Sequence, residues 1–151
     1  MDRRALLGFG CAVWADGALA AQPPARARFL PLKTPVEIPL NSLLETWAPV
    51  PFKARFTRSD GADSVVPGIA VRTPGAVRAF CAYCPHELCL IKLSDAHELR
   101  CPCHFSLFDP QRDGAWISGP ALRRTYRFKY GVRGDDLEVT GIEADLERRL
   151  T

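Results

Sequence analysis

The chain has 151 residues, of which 47% are hydrophobic and 25% charged, and its formal net charge is +3. That length allows one domain with a modest core, and the composition is that of an ordinary globular protein. A charge so small and so mixed along the chain argues against a nucleic-acid binder.

Residues 1–20 have the form of an export signal: paired Arg3-Arg4, a weakly apolar run over 5–15, and Ala18-Leu19-Ala20 as an A-x-A cleavage site. Adjacent arginines indicate the twin-arginine route, which carries folded proteins, so a periplasmic location is expected. Loss of the segment removes Arg3, Arg4, Asp2 and Asp16 together and leaves the net charge unchanged. The alternative is a retained membrane anchor, and membrane association would require it. Against it stand a run shorter than the roughly 20 residues of a spanning helix and Asp16, which at depth would cost about 2.5–3.5 kcal/mol. Cys11 is expected to leave with the signal. Residues 21–36, with Pro23, Pro24, Pro31 and Pro35, read as a proline-rich linker without regular structure. Residues 36–40 suggest a first strand that Pro39 confines to an edge, and 43–47 a single helical turn closed by Pro49 and Pro51.

From residue 52 the chain reads as short strands separated by turns, the pattern of a small all-β domain. Strands are expected over 52–56, 69–72 and 77–83, with turns at Asp60-Gly61 and Pro74-Gly75. In the third of these Val77, Ala79, Cys81 and Tyr83 share one face, which makes Cys81 a small buried apolar residue. Then comes Cys84-Pro85-His86-Glu87-Leu88-Cys89, followed by a hairpin over 90–93 and 98–100 about a turn at Ser94-Asp95, with His97 an exposed turn residue. The hairpin returns the chain to Cys101-Pro102-Cys103-His104-Phe105-Ser106. If the chain leaves this second box extended, His104, Ser106 and Phe108 point to one side and Leu107 to the other, into the core. Turns at Asp109-Pro110 and Asp113-Gly114, a strand over 115–117 and a Gly119-Pro120 turn follow. Residues 126–132 alternate, with Tyr126, Phe128, Tyr130 and Val132 on one face of a half-buried antiparallel strand. A last strand spans 137–140. Ile142, Leu146 and Leu150 lie four apart on a short C-terminal helix whose acidic residues come early and whose Arg148-Arg149 come late, as the helix dipole prefers.

The two boxes hold nearly all of the metal-ligand chemistry. Each offers one cysteine and one histidine, as C-x-H and C-x-x-H, with a further cysteine left over. Two thiolates and two imidazoles form the ligand set of a [2Fe-2S] centre in which histidines replace two cysteines on one iron. A structural zinc site from Cys81-x-x-Cys84 and Cys101-x-x-His104 has suitable spacing but leaves His86, Cys89 and Cys103 without a role. Structural disulfides alone would explain neither histidine.

Over roughly residues 47–142 the boxes make the chain resemble the Rieske iron–sulfur proteins. Cys89 and Cys103 narrow the resemblance to the branch found in cytochrome bc complexes and in the small subunit of arsenite oxidase, where the matching cysteines form a disulfide between the cluster loops. Rieske ferredoxins and ring-hydroxylating oxygenases lack that pair. The resemblance implies an antiparallel β sandwich with a small cluster-binding subdomain, and one [2Fe-2S] cluster held by Cys84, His86, Cys101 and His104. It also implies a Cys89–Cys103 bridge and a cover formed by Gly119-Pro120. In bc-type relatives the places of Ser106 and Phe108 carry a serine and a tyrosine that donate hydrogen bonds to the cluster and a ligand thiolate; here the second hydroxyl is missing. No catalytic residue is expected beyond the cluster. The chain therefore reads as an electron-transfer component of an oxidoreductase, with a redox protein or catalytic subunit of arsenite-oxidase type as partner. A quinol-oxidising bc complex is the alternative, weakened by Phe105 where that branch usually has glycine.

Overall fold

A computed structural model describes residues 26–151. Two antiparallel sheets account for nearly all of the regular structure. The larger is built from β1 (Phe29–Pro39), β2 (Val50–Thr57), β3 (Asp63–Thr73), β4 (Ala76–Cys81), β9 (Phe128–Arg133) and β10 (Asp136–Glu143), in the order β4-β3-β2-β1-β10-β9. Its two ends curl together: Phe80 bridges Arg127, and the Cys81 amide donates to Tyr126 O at 3.4 Å. The smaller sheet, β5 (Lys92–Leu93), β6 (Leu99–Arg100), β7 (Leu107–Asp109) and β8 (Ala115–Ser118), is a meander in chain order. The all-β class expected from the strand-and-turn pattern is what forms.

Strand β3 joins the two cores, because successive side chains leave a strand on opposite faces. Val66 and Ala70 pack with Phe56, Tyr126, Val139 and Ile142 inside the large sheet, whereas Ile69 and Val71 pack with Phe80, Leu99, Phe108, Cys84 and Cys101 beneath the small one. The same alternation runs through β4: Ala79 and Cys81 join the first core and Phe80 the second, with Val77 and Tyr83 packed against the first. Cys81 is thus a core residue, and burial pushes its thiol up to about 12.

Several local expectations are corrected. The stretch read as a linker to residue 36 is strand from Phe29, and β1 is an interior strand between β2 and β10 rather than an edge. Its prolines are tolerated by register. The Ala144 amide donates to Arg28 O and the Leu40 amide to Asp135 O, so by alternation Pro31 and Pro39 fall where the nitrogen faces away from β10. Pro35 lies in the irregularity between Pro31 and Val36, and β1 meets β2 at one register pair, Leu32 with Phe56. The helical turn expected at 43–47 is a 3-10 turn at Leu40–Leu43. The C-terminal helix is 3-10, Ala144–Arg149, and Ile142 belongs to β10 instead. Residues 1–20, read as the export signal, and Cys11 lie outside the described residues. Among the described residues no helix is long and apolar enough to cross a membrane.

Candidate metal centre

Both boxes fold into one and the same turn. In the first, the Leu88 amide donates to Cys84 O at 2.8 Å and the Cys84 amide to Cys89 O at 2.9 Å. In the second, the Phe105 amide donates to Cys101 O at 3.0 Å and the Cys101 amide to Ser106 O at 2.9 Å. Leu88 and Phe105, at matching positions, both take the left-handed conformation, with φ of 57° and 60°. The left-handed Phe105 also corrects the expectation of an extended exit. Ser106 and Phe108 are both fully buried while His104 is exposed, and it is Phe108, not Leu107, that enters the core.

The turns share their backbone hydrogen bonds but their side chains are not equivalent. His86 stands two residues after its cysteine and His104 three, so the imidazoles reach the same side of the paired loops from offset positions. Their ring centroids are 4.8 Å apart, edge to face. Cys89 and Cys103 occupy the remaining places and are joined by a disulfide with Cα atoms 6.4 Å apart. Behind them Cys84 and Cys101 are neighbouring free thiols buried in the second core. Burial, and then the neighbouring Cys101, pushes the Cys84 thiol up to about 11.

Anchoring comes from the strands on either side. The Ala82 amide donates to Pro67 O and the Ile91 amide to Ala82 O, which ties the stems of the first loop to β3. On the second loop's open side, the Ala121 amide donates to Ser106 Oγ at 3.0 Å and Trp116 Nε1 to Gly119 O at 3.0 Å. Gly119, at φ 90°, presses on Ser106 so closely that a Cβ would come within 2.5 Å of its Cα. Only glycine fits there. Gly119-Pro120 therefore lies against the second loop. Since Ser106 Oγ accepts from Ala121, its own hydroxyl proton is free to be donated elsewhere.

The donor set suits a [2Fe-2S] group on structural grounds. Two buried thiols sit side by side, and His86 Nδ1 is a buried nitrogen with no hydrogen-bond partner among the described residues, a costly arrangement unless the atom binds something. Two thiols and two imidazoles in adjoining loops are the Rieske complement. Residues 53–132 match the family model described as "Rieske [2Fe-2S] domain". The chain belongs to the Rieske family.

Its relatives place this Rieske chain more widely. It is 39% identical over 57 residues to a protein of Haloferax mediterranei named "Putative respiratory nitrate reductase subunit Rieske", over 36% of this chain and 26% of that one. The match thus spans about a quarter of the relative's length. Among solved structures it resembles the ferredoxin of carbazole 1,9a-dioxygenase from Nocardioides aromaticivorans IC177, at 25% identity and a TM-score of 0.51, over 70% of this chain and 96% of that one. It also matches the plasma membrane Rieske protein PetC3 from Synechocystis PCC 6803, at 23% identity and a TM-score of 0.42, over 58% and 84%. The Cys89–Cys103 bridge fits the disulfide-containing branch of the family.

Reading the boxes for cysteine and histidine passes over three residues. Glu87, between the ligand-type residues, has Oε2 3.8 Å from His104 Nδ1. Trp47 stacks on His97 at 4.4 Å and 4°, fastening the exposed β5–β6 turn to the large sheet. Arg149 donates to the carbonyls of Pro85 and His86, at 3.2 and 2.6 Å. A charged residue flanking a ligand could have flagged Glu87. No local signal announces Arg149, because its partners lie 64 and 63 residues earlier in the chain.

Proposed function

We propose that Cys84, His86, Cys101 and His104 hold the [2Fe-2S] cluster and that the protein is an exported electron carrier serving a larger oxidoreductase. The observation that carries the ligand assignment is the unpartnered, buried Nδ1 of His86 beside the paired thiols of Cys84 and Cys101. When bound, the cluster takes up and releases one electron, at a potential raised by imidazole in place of thiolate. The chain's residues do the rest. Cys84 and Cys101 close the inner side against the apolar second core, His104 opens the outer side to solvent, and the disulfide and the Gly119-Pro120 turn exclude water from the flanks.

The partner is proposed to be a protein subunit. Phe105 is 60% exposed although its left-handed backbone costs roughly 1–2 kcal/mol, and Arg100 lies over its ring at 5.2 Å. An aromatic side chain held outward at that cost next to His104 suits contact with another protein. A reductase subunit in Haloferax mediterranei and the arsenite-oxidase resemblance both favour a catalytic partner over quinol. Export is proposed from the paired arginines and the A-x-A site.

Purified protein decides the cluster assignment by visible and electron paramagnetic resonance spectra with iron and sulfide analysis. Wild type should show a reducible two-iron signal that His86→Ala and His104→Ala each abolish. A colourless protein containing zinc would overturn the assignment. Sequencing the N-terminus of protein from the cell envelope should begin near Ala21. Mixing with reduced quinol should give much slower reduction than mixing with the physiological subunit.

A further inference from the structure

The 3-10 segment that ends the chain is fixed to the large sheet at several points. Ser59 Oγ donates to Glu147 at 2.9 Å, Arg58 to Leu150 O at 2.8 Å, and Leu146 is fully buried in the first core. From that fixed base Arg149 reaches across to the first box, where its guanidinium donates to two successive carbonyls, Pro85 O and His86 O. The second box folds into the same turn, yet among the described hydrogen bonds the corresponding carbonyls of Pro102 and Cys103 have no such partner. One of two turns with the same hydrogen-bond pattern is therefore clamped, and it is the one carrying the imidazole whose Nδ1 is buried.

We infer that Arg149 is a positioning residue for His86 and a fixed cation beside the cluster. This inference rests on the ligand assignment proposed above. A guanidinium fork on two carbonyls fixes the backbone on which His86 is mounted. The reduced cluster carries one more negative charge than the oxidised one, so a cation held against its loop stabilises the reduced state more and raises the potential. Arg148, beside it, is a suitable comparison: its side chain is 82% exposed and pairs only with Asp145.

The test uses the full chain as wild type, Arg149→Ala, Arg149→Lys and Arg148→Ala. Hydrogen exchange reads the clamp whether or not a cluster is present. In Arg149→Ala the Cys84 and Leu88 amides should exchange at least tenfold faster, while the matching Cys101 and Phe105 amides keep the wild-type rate. In the loaded proteins the potential should fall in Arg149→Ala, fall less in Arg149→Lys, and stay put in Arg148→Ala. Broadened paramagnetic resonance features should accompany the first two only. Unchanged exchange at Cys84 and Leu88 overturns the clamp, as does equal acceleration in both loops. An Arg148→Ala shift equal to that of Arg149→Ala overturns the local cation. A wild type lacking the two-iron signal would defeat the ligand assignment instead, with the exchange result still deciding the clamp.

Discussion

Ser106 and Phe108 differ in what they can offer a cluster. Both are fully buried, and Phe108 packs with Cys84 and Cys101 in a single core. Ser106 keeps a donatable proton because its oxygen is occupied as an acceptor from Ala121, whereas Phe108 has no donor. A hydrogen bond to the more negative, reduced state is worth about 1 kcal/mol, which for one electron is roughly 40 mV. Ser106→Ala should therefore lower the potential by tens of millivolts, and Phe108→Tyr should raise it by a similar amount. Redox titration checks both; a Phe108→Tyr protein that folds normally at an unchanged potential would show that position 108 serves only as core. At this scale the sequence was most readable where chemistry is local. Cysteine and histidine announce themselves by type and spacing, and Cys81 by its place in an alternating strand. The direction of Leu107 and Phe108 was misread because it depends on φ at Phe105, a torsion that an aromatic residue gives no reason to expect.

The disulfide between Cys89 and Cys103 turns two separate loops into one element. Its residues are 14 apart in sequence, so the closed loop is short, and chain-entropy arguments give a stabilisation on the order of 3 kcal/mol. Replacing both cysteines with serine should lower the unfolding free energy by about that amount in urea titrations, and reducing the wild type should have the same effect. A change below about 0.5 kcal/mol would mean that the loops are held by Arg149 and the Gly119-Pro120 turn without help from the bridge. Strands marked by alternation and by glycine turns were legible: β2, β3, β4, β9 and β10 all overlap the expected stretches, with β2, β3 and β10 extended and β4 and β9 each one residue shorter. Strand β1 was not. Three prolines are a local argument against a strand, and only the register with β10, a partner at the far end of the chain, shows that Pro31 and Pro39 give up no bond to that neighbour. The C-terminal segment was recognised as a short helix, but its 3-10 form and its hold on the first box depend on folding and could not be read in advance.

At the scale of the molecule, the sealed large sheet controls behaviour in alkali. The Cys81 thiol has a reference value of 9.0 and is pushed up to about 12 by burial. Between these values the folded state keeps a proton that the unfolded state has lost, so the contribution is intact below the lower value and is lost as pH rises through the window. Burial raises Tyr126 and Tyr130 as well, and they act in the same sense. The slope should be about 1.4 kcal/mol per pH unit for each such group. In cluster-free protein Cys81→Ala should cost about 1 kcal/mol near neutrality yet flatten the alkaline limb, as read by denaturant titration at several pH values. An unaltered limb would show that Cys81 is not the group responsible. The pairing of β1 with β10 bears on synthesis too. Strand β1 leaves the ribosome roughly 100 residues ahead of its neighbour β10, and at ~5–20 residues per second it waits several seconds for it. Both boxes, with the β3 and β4 residues beneath them, are complete before β9 and β10 exist. A stalled or shortened chain would thus have its cluster loops made while β1 stood as an open edge, ready to pair with another chain, and the Arg149 contacts would close only after β10 is made.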